Sequence, residues 1–308
     1  MTRIPRRRLL QGAIGTVGAL GALAAASAWP TISGIAGRVV DGYANNNGVR
    51  THYVTLGKGP LVVLIHGIPE FWYSWRHQIE PLAQRFQVVA IDQRGFNQSD
   101  KPADRSGYHV RHLVADVAAV IQQMGQERAF VVGHDAGAWV AWHFATAHPE
   151  RTAKLCILSV PHPNALAEEL AQNPAQHAAG QYARDMQMEG AAPSFRVGPV
   201  GIARDAGGWP LYLAAERRTD PAAITSFYQE SYPRAPYAVD PALDQAITAP
   251  TLVIHGQNDQ FLLASGHKRN ARWMSTPPET VLLDAGHFVH QEAPEQVNQL
   301  LLDWLSRA

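Results

Sequence analysis

Short, uninterrupted apolar runs recur along the chain at Leu61–Ile65, Val88–Ile91, Phe130–Val132, Leu155–Leu158, Leu252–Ile254 and Val281–Leu283. Continuous rather than alternating apolarity predicts strands covered on both faces, as in a parallel sheet. Upstream, Arg38-Val39-Val40 and Val49–Thr55 flank Asn45-Asn46-Asn47-Gly48, whose residue types suit a tight hairpin. Counting the hairpin, eight strands are predicted. Between them lie helical periods. In Val110–Met124 the residues Leu113, Val117, Val120, Ile121 and Met124 share one helix face. Pro294–Ala308 repeats the pattern through Val297, Leu300, Leu301, Trp304 and Leu305, with proline suited to a first turn. The rhythm breaks between Pro161 and Ala249, a stretch rich in Ala, Gln, Pro and Tyr without a convincing strand. A structureless insertion of that length is improbable in a compact domain. The pattern therefore predicts an α/β fold in two parts, residues 38–160 and 250–308. Its eight-stranded, mostly parallel sheet is flanked by helices. Residues 161–249 form a helical cap inserted before the seventh strand, over the edge where α/β sheets bind ligands.

The chain has 308 residues, and its 26 Lys and Arg balance 26 Asp and Glu. A nucleic-acid binder would show a basic excess, so nucleic acid is excluded as a partner. With 46% hydrophobic and 17% charged residues the chain is not disordered. The single Cys156 rules out an intramolecular disulfide and a cysteine-rich zinc site, and reads as an inert buried residue. The neutral total is unevenly built. No acidic residue precedes Asp41, while Arg3, Arg6, Arg7 and Arg8 crowd the start. The apolar run Gly12–Ala26 follows, and then Ala26-Ser27-Ala28, a small-x-small cleavage pattern. Arg-Arg-x-Leu-Leu resembles a twin-arginine signal. Residues 1–28 are therefore expected to be a cleaved export signal, read by the twin-arginine machinery, for a periplasmic or secreted protein. The run is too short for a stable membrane anchor. Cleavage removes four of the 26 basic residues and no acids, leaving 22 against 26, a net of −4. Oligomeric state is left open.

The densest chemistry lies in Phe130-Val131-Val132-Gly133-His134-Asp135-Ala136-Gly137-Ala138. A strand runs into small-x-acid-x-small and then a helix. This is the nucleophile-elbow pattern Gly-x-Ser-x-Gly with Asp135 at the apex. Further segments sit at other strand ends: His66-Gly67-Ile68-Pro69-Glu70 after one, Asp259 after another, His287 after a third. The chain order of nucleophilic acid, second acid and histidine is that of α/β-hydrolase triads.

With these residues in view the chain resembles α/β-hydrolase-fold epoxide hydrolases. His66-Gly67-Ile68-Pro69-Glu70-Phe71-Trp72-Tyr73-Ser74-Trp75-Arg76 is similar to that family's oxyanion-loop motif. Asp92-Gln93-Arg94-Gly95-Phe96-Asn97-Gln98-Ser99-Asp100-Lys101-Pro102 is similar to its second marker. The resemblance spans roughly residues 40–308. It implies a cofactor-free enzyme that hydrolyses a small apolar epoxide in two steps through an ester of Asp135. The chemistry is coherent. A carboxylate is already ionised at neutral pH and attacks an activated sp³ carbon directly. His287 then activates water, Asp259 orients His287, and the backbone N–H groups of Ile68 and Ala136 stabilise charge on the Asp135 carbonyl. The family opens the ring with two cap tyrosines, and Tyr182 and Tyr228 match their surroundings, with Tyr212, Tyr232 and Tyr237 as spares. His66, Gly67, Pro69, Glu70 and Trp72 are expected to form the loop and pocket beside Asp135. His66 would hold the loop, and Glu70 would orient water or bond within it.

Ala136 departs from the tryptophan often found after the nucleophile in this family. That weakens the main alternative, a haloalkane or haloacetate dehalogenase with the same triad. Such enzymes use an indole N–H at that position, or an arginine, and neither Ala136 nor Ile68 offers a side-chain donor. Trp209 of the cap is a remaining candidate halide donor. A third class, a non-catalytic small-molecule binder on this scaffold, is disfavoured by the complete triad. A serine esterase conflicts with Asp135. No metal site is expected: His109 and His112 read as surface residues without acidic partners. His134 reads as a packing or hydrogen-bonding group, His290 as a control for His287, and Arg94, Ser99 and Asp100 as braces of the second marker.

Overall fold

The computed structural model describes residues 33–193 and 208–307. The export signal expected at residues 1–28 lies outside them. Eight strands form one sheet: β1 (Val40–Asn46), β2 (Val49–Leu56), β3 (Leu61–Ile65), β4 (Gln87–Ile91), β5 (Ala129–His134), β6 (Thr152–Leu158), β7 (Thr251–Gly256) and β8 (Glu279–Leu283). Their order is β1-β2-β4-β3-β5-β6-β7-β8. β1, β2 and β4 pair antiparallel, and every later pairing is parallel. The first strand starts later than the apolar Arg38-Val39-Val40 trio suggested. Val40 is exposed, and the hairpin turns at Asn47-Gly48, both at positive φ.

Alternate residues of the apolar runs enter different cores. Val63, Ile65, Val89, Ile91, Val131, Leu155, Ile157 and Val253 face one side with the helices Val110–Gln123 and Ala136–Ala147. Val62, Leu64, Val88, Ala90, Val132, Cys156, Leu158, Leu252 and Ile254 face the other with Arg76–Ala83 and Pro294–Ser306. This period-two division explains why the runs are wholly apolar. Each fully buried aliphatic side chain contributes roughly 1.5–3 kcal/mol, so the sheet is a stiff base for whatever its loops carry.

Between β6 and β7 the described residues contain five α-helices and no strand: Pro163–Gln172, Pro174–Ala179, Gln181–Met186, Trp209–Arg218 and Pro221–Ser231. Three of them start with proline after a side chain that accepts a backbone N–H, at His162, Asn173 and Asp220. β3 pairs with β4 on one side and β5 on the other. The chain order thus reverses at β3 and opens a crevice at the strands' carboxyl ends.

Candidate active site

Ile65 of β3 pairs with Gly133 of β5. Two residues past Gly133 is Asp135, and three past Ile65 is Ile68, so sheet register alone brings the elbow beside the His66–Glu70 loop. Asp135 lies at φ 50° and ψ −121°, a strained conformation costing on the order of 1–3 kcal/mol. The turn is sharp because the following helix sits tightly against the sheet. A Cβ added at Gly137 would fall 2.1 Å from the Ile65 carbonyl oxygen. A Cβ at Gly67 would fall 2.5 Å from the Asp135 Cβ. Both positions therefore require glycine.

Asp135 is buried, and its two oxygens have separate partners. Oδ1 accepts the Ile68 N–H at 2.8 Å. Oδ2 lies 3.2 Å from His287 Nε2. His287 Nδ1–H donates to Asp259 Oδ2 at 2.7 Å. Asp259 Oδ1 accepts the N–H groups of Phe261 and Leu262 at 2.8 and 3.0 Å. The three residues, each read from the sequence, thus form one line of hydrogen bonds across three strand ends. Ala136 begins the helix that follows.

Burial works against charge at all three groups, yet the mutual attraction wins. Burial alone would lower His287, but the carboxylates of Asp259 and Asp135 raise it to about 10. Burial alone would raise Asp135 and Asp259, but His287 and their N–H donors hold both below the usual aspartate value. The free site therefore holds an imidazolium between two carboxylates.

The loop residues are placed as supports. His66 Nδ1–H donates to the Gly67 carbonyl at 2.8 Å, and Nε2 accepts the Gln93 N–H at 2.9 Å. His134 Nε2–H and Ser159 Oγ–H both donate to the His287 carbonyl, at 2.9 and 2.8 Å. Trp72 is buried and gives its N–H to Asp92 at 2.9 Å. In the second marker Ser99 Oγ–H donates to the Asp92 carbonyl at 2.6 Å, and Arg94 holds Asp116 by two bonds of 2.7 Å. His109 caps a helix, its Nδ1 accepting the Arg111 N–H. Glu70 Oε1 accepts Gln291 Nε2–H at 2.6 Å, and burial pushes Glu70 up to about 7. Its Oε2, His134 Nδ1 and both ring nitrogens of His290 are buried without hydrogen-bond partners, Glu70 Oε2 lying 3.9 Å from His290 Nε2. Among the described residues Glu70, His134 and His290 are the only cluster with donors close enough to hold a metal ion, within 4.8 Å of one another.

Across from Asp135 the cap supplies aromatic walls. The cavity there is lined by Ala136, Trp139, Leu166, Tyr182, Phe227, Tyr228, Tyr232 and Leu262, with Asp135 and Val160 beneath. His66, Gly67, Pro69, Glu70 and Trp72 are not among its lining residues, so the expected pocket role falls to the cap and elbow. The rings of Tyr182 and Tyr228 meet edge to face at 5.9 Å. Burial raises both phenols well above their usual value, with the Asp135 charge adding to it. Tyr232, read only as a spare, also lines the cavity. Tyr212 packs instead with Phe71 and Tyr73 in the other core. Trp209 is 43% exposed and lies outside the lining.

A family model for the alpha/beta hydrolase fold matches residues 60–294. The chain belongs to the α/β-hydrolase family. Among its relatives, an AB hydrolase superfamily protein, YfhM, of Bacillus subtilis is 33% identical over 85% of this chain and 96% of its own length. Epoxide hydrolase B of Mycobacterium tuberculosis is 32% identical over the same shares. The solved structure of Bacillus megaterium epoxide hydrolase with an inhibitor superposes with a TM-score of 0.78 at 26% identity, covering 86% of this chain and all of that one. The protein is a hydrolase of the α/β fold with epoxide hydrolases among its homologues.

Proposed function

We propose that this α/β hydrolase opens epoxides to vicinal diols through a covalent ester of Asp135. The observation that carries the reading is the pair of buried cap tyrosines, Tyr182 and Tyr228, which meet edge to face and line the same cavity as Asp135. A poor leaving group such as an alkoxide must receive a proton, and this pair faces the carboxylate that would attack.

In the first step an Asp135 oxygen bonds to an epoxide carbon, the C–O bond of the ring breaks, and a tyrosine gives the ring oxygen its proton. His287, protonated at rest, has the proton that restores the tyrosinate. Esterification removes the charge of Asp135, so His287 loses one of the two carboxylates that raise it and becomes able to act as a base. In the second step His287 takes a proton from water, and the hydroxide adds to the Asp135 carbonyl carbon. Negative charge on that carbonyl oxygen is met by the Ile68 and Ala136 N–H groups. On collapse the departing alkoxide takes the proton held by His287 to complete the diol, and the new carboxyl group gives its proton to His287, so that Asp135 is again a carboxylate beside an imidazolium. Asp259 keeps Nε2 of His287 free for this exchange.

The halide-displacing alternative rests on one observation: the Trp139 indole N–H is buried without a partner, and Trp139 lines the same cavity. Incubation with styrene-type epoxides and with haloalkanes separates the two readings. Diol formation without halide release is the expected result, and halide release without diol would overturn it. We also propose export of the mature chain after cleavage at Ala28. Amino-terminal sequencing of the secreted protein tests this, and a mature chain beginning at Met1 would refute it.

A further inference from the structure

The cavity in front of Asp135 measures about 20 Å³, room for one water molecule. An epoxide does not fit that volume, so binding must widen it. A second cavity of about 150 Å³ lies behind Trp139, which lines both spaces. Tyr232 continues the partition. Its ring stacks on Trp139 at 6.1 Å and 24°, and its neighbours Ser231 and Pro233 line the second cavity. Neither polar head is tied down: Trp139 Nε1 and the Tyr232 hydroxyl are buried without hydrogen-bond partners. Leaving a buried donor unpaired costs roughly 1–3 kcal/mol, a penalty that a ligand with an acceptor would remove.

The second cavity opens to solvent past the exposed Ala238 and Asp240. A space near 150 Å³ takes a group about the size of benzene. Most of its polar lining is already engaged. Asn164 bonds the Asp240 backbone through both ends of its amide, at 3.2 and 2.8 Å. Glu230 accepts Arg105 Nε–H at 2.9 Å, and Asp240 Oδ1 accepts the Ala242 N–H at 2.9 Å. His143 differs. Its Nδ1–H donates to the Trp139 carbonyl at 2.7 Å, which leaves Nε2 as an acceptor. Burial lowers His143 to about 4, so the ring stays neutral at working pH.

We propose that this alcove holds the substituent of the substrate, with Trp139 as the movable partition and His143 Nε2 accepting a hydrogen bond from a substituent hydroxyl. The substrate class is then a terminal epoxide with a short hydroxyl-bearing chain, a conclusion that rests on the epoxide-opening reading of Asp135. The test compares a straight-chain terminal epoxide with its analogue hydroxylated at the far end. The wild type should favour the hydroxylated substrate in kcat/KM by up to about tenfold, as one hydrogen bond allows. His143→Leu should bring that ratio near one, and His143→Gln, whose amide oxygen also accepts, should keep most of it. A wild-type ratio near one, or an equal loss for both substrates in His143→Leu, overturns the proposal. Calorimetric binding of an inert straight-chain diol separates the two readings. Weaker binding to His143→Leu without turnover of either epoxide keeps the alcove and removes the epoxide reading. Equal binding without turnover removes both.

Discussion

Asp259→Asn isolates the second chemical step. Asp259 is buried at 5% exposure and divides its oxygens between His287 and two loop amides. The Phe261 and Leu262 N–H groups need an acceptor, so the asparagine carbonyl oxygen should stay with them. Its NH2 group then faces His287 Nδ1. Nδ1 must accept that bond, and the ring proton moves to Nε2, the nitrogen 3.2 Å from Asp135. An imidazole protonated there cannot take a proton from water. The corresponding tautomer error in a serine protease costs about 10⁴ in kcat, and a missing general base costs about 10²–10⁴. We expect ester hydrolysis to slow by about 10³–10⁴, while alkylation, which needs no base, changes by less than about tenfold. Rapid-quench single turnover with intact-protein mass spectrometry reads both steps. The Asp135 adduct should accumulate and decay slowly. Steady-state turnover within tenfold of wild type, or slow turnover with no adduct, would refute the role of Asp259.

Other consequences are open to measurement. Replacing Tyr182 and Tyr228 together by Phe should abolish epoxide opening, and any halide displacement should survive. Equal loss of both would undo the acid assignment. His287 is raised from 6.5 to about 10 in the fold, so its contribution of a few kcal/mol is complete below about pH 6.5 and lost as pH rises through 10. Asp135 and Asp259, lowered in the fold, contribute above their ordinary pKa and lose that contribution on acidification. Urea unfolding of the wild type should therefore weaken towards pH 10, and His287→Gln should lack that decline. Gly137→Ala places a Cβ 2.1 Å from the rigid Ile65 carbonyl, and should cost about 1–3 kcal/mol or more, read as a lowered Tm.

The sheet was legible because its inner strands β3 to β7 are buried on both faces, which writes an unbroken apolar run into each, whereas the edge strand β8 carries such a run with Leu282 51% exposed. The hairpin start was not: Val39 and Val40 look like a strand, yet Val40 is 64% exposed and pairing extends through the polar Asn45 and Asn46. Asp135, Asp259 and His287 were legible because each follows a strand directly, and strand order fixes which ends meet. The cap was legible only in outline. The family resemblance singled out Tyr182 and Tyr228, but only helix packing turns Tyr232 towards the Asp135 cavity and Tyr212 away from it. The pairing of Glu70 with Gln291 joins residues 221 apart in sequence, and no local pattern carries such a contact.

Single turnover in ¹⁸O-water with excess wild-type enzyme tests the covalent scheme most directly. Through an Asp135 ester, the new diol oxygen comes from the carboxylate, so the first-turnover diol should be unlabelled and the label should appear in Asp135. Labelled diol in the first turnover, with Asp135 unlabelled, would mean that water attacks the epoxide directly and would contradict the central claim.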